Sequence, residues 1–173
     1  MDDALALFLL PGLSRGTPME SSVDHRTVSL MVDYLFGRGV SRALPKEGFR
    51  LFHSRRSGRV KSVFLDGRLF ATVKPNGAMA LSMAGAQVLS KNRGFRRNCV
   101  QVSDEVSEFV KGGKSVFCKF VVSAGNNVYP KSEVAIVDSK GKVLGVGMAV
   151  LNGKVMRLFK TGVAVKVRAG LEK

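Results

Sequence analysis

The chain has 173 residues, with 28 Lys plus Arg against 13 Asp plus Glu and a formal net charge of +15. A hydrophobic content of 45% with 24% charged residues is an ordinary globular composition, which excludes a chain that is disordered throughout. Two cysteines, Cys99 and Cys118, are too few for a disulfide scaffold or for a cysteine-based zinc or iron–sulfur site.

Residues 1–26 differ from the rest of the chain, because they carry a net charge of −2. Their apolar stretch, residues 4–10, follows two aspartates rather than the positive charge that begins a secretory signal, and it runs into glycine and proline. We predict a loose N-terminal extension, with docking to a partner as the alternative. No apolar run in the chain approaches the ~20 residues of a membrane span, so we expect no membrane partner and a cytoplasmic protein.

Residues 27–95 are predicted to form a small α+β domain. The pattern predicts helices over 27–36 and 83–91, and short strands over 49–53, 60–65, 68–73 and 78–81. Thr27 and Ser82 are the expected N-caps, and Asp66-Gly67 is a strong signal for a two-residue hairpin turn.

The same part of the chain has the densest positive charge, since residues 27–97 carry a net +11. Most of these cations are arginines, whose planar guanidinium suits two-pronged contacts to phosphate. An acidic protein partner and a merely solubilising surface are the alternatives to nucleic acid. We predict RNA backbone contacts at a hairpin tip and at a basic junction, formed by Arg55, Arg56, Arg59, Lys61, Arg93, Arg96 and Arg97.

Residues 96–173 are predicted to form a small, partly closed β-barrel. Strands are expected over 99–102, 115–122, 133–137, 142–151 and 163–168. A helix is expected over 103–111, and a short turn or helix near 155–159. The segment 98–173 carries a net +6, so it shares the basic character of the preceding domain.

The order of these elements resembles two adjacent domains of a known family. The second domain is similar to a PUA domain. The similarity lies in the helix that ends in Gly112-Gly113, the strand that starts Lys114-Ser115-Val116-Phe117, and the runs 132–138, 141–149 and 162–168. The first resembles the domain that precedes the PUA in archaeal tRNA-guanine transglycosylase, on residues 32–39, Ala43-Leu44, 55–60, Asp66-Gly67, 69–72 and the helix 81–89. The resemblance implies an α+β fold in which a small α+β domain precedes a PUA-type β pseudobarrel.

Enzymes of that family exchange a guanine in the tRNA D-loop for a deazaguanine base on the way to archaeosine. Their chemistry belongs to a TIM barrel with paired aspartates and a Cys/His zinc site. A TIM barrel needs ~200–250 residues, which is more than the 173 residues of this sequence. We therefore expect no enzyme, no cofactor and no metal, and a protein that grips tRNA at its acceptor stem and 3′ end.

The resemblance leaves several roles open. The chain is expected to assist a separate catalytic subunit, either a transglycosylase or an archaeosine synthase, which share these accessory domains. The alternatives are an independent PUA factor in ribosome assembly or translation, a cryptic enzyme with a pocket between the domains, and a module for protein interaction.

Further RNA contacts are predicted in the PUA-like domain, each with a structural alternative. The run Lys111, Gly112, Gly113, Lys114 is expected at the RNA groove or as a plain glycine C-cap. Phe109 and Phe117 are either stacking platforms for bases or core residues. Lys166 and Arg168 share a strand face by the period-two rule, as RNA contacts or as an ordinary polar face.

Overall fold

The computed structural model describes residues 18–171, with side chains from Asp24 onward. The larger part of the predicted N-terminal extension, residues 1–17, lies outside this range. No helix within the described range is long and apolar enough to cross a membrane.

The first helix, α1 (Pro18–Phe36), is longer than predicted. It begins at Pro18, whose fixed φ suits a first helical turn, and Thr27 lies inside the helix, so the prediction that Thr27 is its N-cap is wrong. Val28, Val32 and Phe36 are buried at a spacing of four residues, which directs one stripe of α1 into the core.

The strands that follow form an antiparallel sheet in the order β1-β2-β3-β4. Their bounds are β1 (Phe49–His53), β2 (Val60–Leu65), β3 (Arg68–Val73) and β4 (Met79–Leu81), and α2 (Met83–Ser90) packs on β3. Asp66 and Gly67 both have positive φ, 48° and 77°, as the predicted two-residue turn requires. The Ser82 hydroxyl accepts a hydrogen bond from the Gly85 amide at 3.0 Å, so the predicted cap is confirmed. We call α1, β1–β4 and α2 the N-terminal unit.

The remaining strands form a nearly closed, barrel-like sheet in the order β6-β10-β9-β8-β5-β7. Its elements are β5 (Cys99–Val102), α3 (Ser107–Lys111), β6 (Val116–Phe117), β7 (Val121–Ala124), β8 (Glu133–Val137), β9 (Val143–Ala149), α4 (Gly153–Met156) and β10 (Val163–Gly170). We call them the C-terminal unit. The fold class predicted from the sequence, a small α+β domain followed by a PUA-type pseudobarrel, is confirmed.

One predicted strand is wrong, because residues 115–122 are not continuous. A 3-10 turn at Cys118–Phe120 divides them into β6, which pairs with β10, and β7, which pairs with β5. β6 and β7 are the two ends of the sheet order, so the chain must turn to pass from one edge to the other. The predicted helix at 103–111 is likewise divided, into a 3-10 turn at Asp104–Val106 followed by α3.

The two units share a hydrophobic core. Phe36 of α1 packs edge-on against Phe95 with ring centroids 5.6 Å apart, and Phe95 is fully buried. The same cluster of buried side chains continues into Ala135 and Val143 of the C-terminal unit. Because the core is continuous, it fixes the positions of the two units relative to each other.

Candidate nucleic-acid interface

The first predicted cluster lies at the tip of the β1–β2 hairpin. Hydrogen bonds of 2.8 Å from the Ser54 amide to the Arg59 carbonyl and from the Gly58 amide to the Ser54 carbonyl close the loop. Its cations are all exposed and form no ion pair within the described part of the chain: Arg55, Arg56, Arg59 and Lys61. β1 and β4 are opposite edges of their sheet, and β4 borders the C-terminal unit, so β1 is the sheet edge away from the junction.

The second cluster lies on a 3-10 turn, Arg93–Asn98, that joins the two units. Residues three apart share a face in such a turn. Phe95 and Asn98 are buried, and the Asn98 side-chain amide donates to the Phe36 carbonyl at 2.7 Å, which anchors the turn to the end of α1. The predicted arginines are left exposed on it: Arg93, Arg96 and Arg97.

The glycine run after α3 is a helix C-cap. The Gly113 amide donates to the Val110 carbonyl at 2.9 Å and the Lys114 amide to the Phe109 carbonyl at 2.9 Å, with Gly113 at φ 84°, which is a Schellman motif. Lys111 is half-buried and its ammonium lies 2.5 Å from the Glu108 carboxylate, whereas Gly112 and Lys114 are exposed. The C-cap alternative is confirmed, and RNA contact by this run stays a prediction.

An apolar cleft of about 370 Å³ lies beside that cap. Phe109 and Phe117 line it and are 63% and 47% exposed, so neither is a core residue. The buried Val116, the half-buried Phe120 and the exposed Lys114 also line it. The structure therefore brings together the predicted Phe109 and Lys114 with Phe117, two exposed rings and a cation around one cleft.

Arg168 is engaged at the junction of the two units. Its guanidinium donates to the Glu133 carboxylate at 2.6 Å and to the Leu81 carbonyl at 2.7 Å. Glu133 is buried and also binds the Lys74 ammonium at 2.6 Å, so one carboxylate joins cations from both units. These partners lie far apart along the chain, and no sequence signal identified them.

Lys166 lies on the same strand but is exposed and not part of that ion-pair network. A register shift between Val167 and Ala169 interrupts the two-residue period at Arg168. The structure thus gives Lys166 and Arg168 different surroundings, and contact of either with RNA stays a prediction.

A second cavity, of about 310 Å³, lies where the 3-10 turn at Arg93–Asn98 meets the C-terminal unit. We call it the junction cavity. Its polar and ionisable lining includes Arg96, Cys99, Gln101, Ser123, Asp138 and Lys140. Of these, only Arg96 belongs to the predicted site, because the others look in sequence like ordinary strand and turn residues.

Neither cysteine is activated as a nucleophile. Burial raises the pKa of the Cys99 thiol to about 12, although the charge of Arg96 opposes this, and burial also raises the pKa of Cys118. Both thiols are therefore protonated at neutral pH. Within residues 18–171 no group of three His, Cys, Asp or Glu side chains could hold a metal ion.

Two family models match the chain, one after the other. Residues 26–94 match the patch-forming domain C2 of tRNA-guanine transglycosylase, and residues 98–171 match the PUA domain. Neither matched domain is a catalytic one. The cavity and the arginine turn between the units thus lie at the border of the two matches.

Curated relatives match along most of the chain. A tRNA-guanine(15) transglycosylase of Thermococcus onnurineus is 36% identical over 84% of this chain and 25% of its own length. A protein of the same name from Methanothermobacter thermautotrophicus is 32% identical over 98% of this chain and 27% of its own length. The chain spans about a quarter of the length of the curated relatives it matches.

Solved structures support the fold. A hypothetical protein from Pyrococcus horikoshii superposes with a TM-score of 0.67 at 20% identity, over 88% of this chain and 93% of that one. A conserved PUA domain protein from Thermoplasma acidophilum gives a TM-score of 0.57 at 18% identity, over 84% and 91%. With both domains matched in order and relatives of one name along most of its length, the chain consists of a C2 domain of the tRNA-guanine transglycosylase type followed by a PUA domain, consistent with the C-terminal accessory domains of the archaeal enzymes.

Proposed function

We propose that this chain is a non-catalytic, cytoplasmic RNA-binding protein that grips tRNA at its acceptor stem and 3′ end. It assists a separate catalytic subunit in tRNA-guanine transglycosylation or archaeosine synthesis. The observation that carries the proposal is the pairing, on one strongly basic chain, of the two accessory domains of the transglycosylase family.

The N-terminal unit is suited to the sugar–phosphate backbone. Its hairpin arginines are exposed, have no carboxylate partner in the described residues, and follow one another around a tight loop. Each cation that replaces a condensed counterion on RNA gains free energy that falls with the logarithm of salt concentration. Such contacts attract RNA and orient it without reading its sequence.

The C-terminal unit is suited to an unpaired end. The apolar cleft exposes the rings of Phe109 and Phe117 beside the Lys114 ammonium. Unstacked bases bind to aromatic side chains of this kind, and the adjacent cation suits the phosphates between them. The tRNA 3′ end is single-stranded, and the geometry therefore favours it over a duplex.

The test is a binding titration with full-length tRNA and with the same tRNA lacking its 3′-terminal single strand, each at several salt concentrations. We expect affinity to fall steeply with salt for both, and the truncated tRNA to bind more weakly at every salt. Binding that ignores salt would contradict the electrostatic part. Equal affinity for the two RNAs would contradict recognition of the 3′ end.

The assistance to a catalytic subunit is tested separately. A catalytic transglycosylase domain without its own accessory domains is assayed for guanine exchange into tRNA, with and without this chain. We expect the chain to lower the KM for tRNA and to leave kcat nearly unchanged, because it supplies binding rather than chemistry. An unchanged KM, with no association of the two proteins, would overturn the subunit assignment.

An independent PUA factor in ribosome assembly or translation is the second candidate. Two solved structures of the same fold favour it, because this chain covers 93% and 91% of them. The fold therefore also occurs in chains of about this length. RNA crosslinked to the protein in its own cells would distinguish the two. Recovery of ribosomal RNA in place of tRNA would support the second candidate.

A further inference from the structure

We propose that the junction cavity binds a single nucleotide of the RNA, with its base against Gln101 and Ser123 and its phosphate between Arg96 and Lys140. The proposal rests on the proposed function, because the bound RNA supplies the nucleotide. It adds a base-recognising site between the two units, distinct from the apolar cleft and from the hairpin arginines.

The floor of the cavity is one row of a β-sheet. β7, β5 and β8 are neighbours, and Gln101 is in register with Ser123 on one side and Val137 on the other. Side chains opposite one another in a sheet stand side by side on the same face. The row therefore presents a hydroxyl, an amide and an apolar surface, next to the buried Cys99 two residues along β5.

Gln101 is oriented and still has hydrogen-bonding capacity. The Ser123 hydroxyl donates to the Gln101 carbonyl oxygen Oε1 at 3.0 Å. No residue between 24 and 171 accepts a hydrogen bond from the Gln101 Nε2 group, which has two N–H donors. A base that presents a carbonyl or ring-nitrogen acceptor matches this group.

The rim of the cavity is cationic. A Cβ on Gly141 would stand 3.7 Å from Arg96 Nη2, which places the guanidinium against the β8–β9 turn that also carries Lys140. Two carboxylates hold this turn: Asp138 accepts hydrogen bonds from the Lys140 and Lys142 amides at 2.9 and 2.8 Å, and Asp104 accepts from the Ser139 amide and hydroxyl at 3.2 and 2.8 Å. Neither rim cation forms an ion pair with a described side chain, so both can contact a phosphate. The charge of Lys140 also acts on Asp104, whose pKa is lowered chiefly by the hydrogen bonds from Ser139 and to a smaller extent by Lys140.

The size of the cavity selects the occupant. About 310 Å³ is at the lower end of small-molecule pockets, large enough for one nucleotide and too small for a helix. Cavities between domains are common ligand sites, and extruded nucleotides bind in pockets that combine hydrogen bonds to base edges with phosphate contacts. The cavity lies where the unit that carries the hairpin arginines meets the unit that carries the apolar cleft.

The test compares tRNA affinity and its salt dependence for Gln101→Leu, Lys140→Ala and the control Gln87→Leu. Gln87 is an exposed glutamine on α2 that does not line the junction cavity. We expect Gln101→Leu to weaken binding roughly tenfold with an unchanged salt slope, because it removes a base contact. Lys140→Ala should lower the slope by about one, as the loss of one phosphate contact does. Gln87→Leu should change neither.

Photocrosslinking of the unaltered protein provides a second readout that needs no variant to fold. With tRNA that carries 4-thiouridine, we expect adducts on the peptides around Gln101 and Ser123. With free nucleoside monophosphates, we expect no shift of the Gln101 side-chain amide signal in NMR spectra at concentrations where tRNA saturates. Such a shift without RNA adducts would assign the cavity to free nucleotides and overturn the proposal.

The outcomes separate this proposal from the proposed function. If Gln101→Leu binds tRNA normally and no adduct maps to the cavity, while binding stays salt-dependent, the cavity proposal is wrong and RNA binding stands. If the unaltered protein shows no salt-dependent tRNA binding, both the proposed function and the cavity proposal are wrong.

Discussion

Two groups of cations, one in each unit, differ in their partners. In the N-terminal unit, Arg55, Arg56 and Arg59 are exposed on a hairpin loop and have no ion-pair partner in the described residues. In the C-terminal unit, Arg168 and Lys111 are held by the carboxylates of Glu133 and Glu108. Equal formal charges are thus left without a carboxylate partner on the hairpin, whereas at Glu133 and Glu108 they stabilise the fold. A count of charges along the sequence does not distinguish these roles.

The aromatic residues show the opposite division. Phe49 and Phe70 of the N-terminal unit are buried edge-on against each other with centroids 5.6 Å apart, while Phe109 and Phe117 of the C-terminal unit are exposed around a cleft. Under the proposed function, we therefore expect the N-terminal unit to supply long-range attraction of RNA and the C-terminal unit to supply short-range recognition. The predictions below test this division.

The largest effect is expected from the triple variant Arg55→Ala, Arg56→Ala, Arg59→Ala. Loss of three phosphate contacts should weaken tRNA binding on the order of 100-fold near physiological salt and lower the salt slope by about three. A filter-binding titration at several salt concentrations measures both quantities. The control with the same net charge replaces the exposed Lys154, Arg157 and Lys160 by alanine, and equal losses in the two variants would show that only total charge matters.

The next effect concerns the contact between the units. Glu133→Gln leaves Lys74 and Arg168 without their buried counter-charge and should lower the free energy of unfolding by about 2 kcal/mol, a value reduced for the partial exposure of both cations. Urea denaturation measures the change. The control Glu108→Gln removes an exposed helix pair and should have an effect below ~0.5 kcal/mol. Similar losses in both variants would mean that the carboxylate of Glu133 at the junction stabilises the fold no more than an exposed ion pair does.

A tenfold effect is expected from Phe109→Ala. The side chain is 63% exposed, so its removal should leave stability nearly unchanged, while the loss of a stacked base weakens tRNA binding by roughly 1–2 kcal/mol. The salt slope should not change, in contrast to the arginine triple variant. Tyr34→Ala removes another exposed aromatic ring, on α1, and should bind tRNA normally. A lowered slope for Phe109→Ala would break the division between the two units.

The smallest effect is the pH dependence of a single carboxylate. Burial disfavours the ionised form of Asp33, but hydrogen bonds from Ser41 and Gly39 and the charge of Arg42 outweigh it, so the pKa of Asp33 lies below its ordinary value of 3.8. The Ser41 amide donates to this carboxylate at 2.7 Å. A lowered pKa gives stability that is complete above the ordinary value and is lost as pH falls through the lowered one.

Asp33→Asn should therefore cost roughly 1 kcal/mol at pH 7 and progressively less below pH 4. Thermal unfolding of both proteins from pH 7 to pH 2.5 measures the difference. A difference that stays constant across this range would mean that the charge of Asp33 does not contribute to the stability of α1 and the turn after it.

The sequence by itself determined the elements whose signals are local. The Asp66-Gly67 turn, the Ser82 cap and the helical spacing of Val28, Val32 and Phe36 depend on neighbours within a few residues, and each is present in the structure. The order of motifs identified both domains for the same reason, since each motif is a short stretch of adjacent residues.

The tertiary structure alone decided the features that depend on distant residues. Lys74 and Arg168 meet at Glu133, 59 and 35 positions away along the chain, and the strand predicted over 115–122 is divided because its halves pair with opposite edges of one sheet. Gln101 lines a cavity that is also lined by the 3-10 turn preceding its strand and by the β8–β9 turn. Local preference cannot encode such meetings, because they arise only when the hydrophobic cores of the two units join and bring separate parts of the chain together.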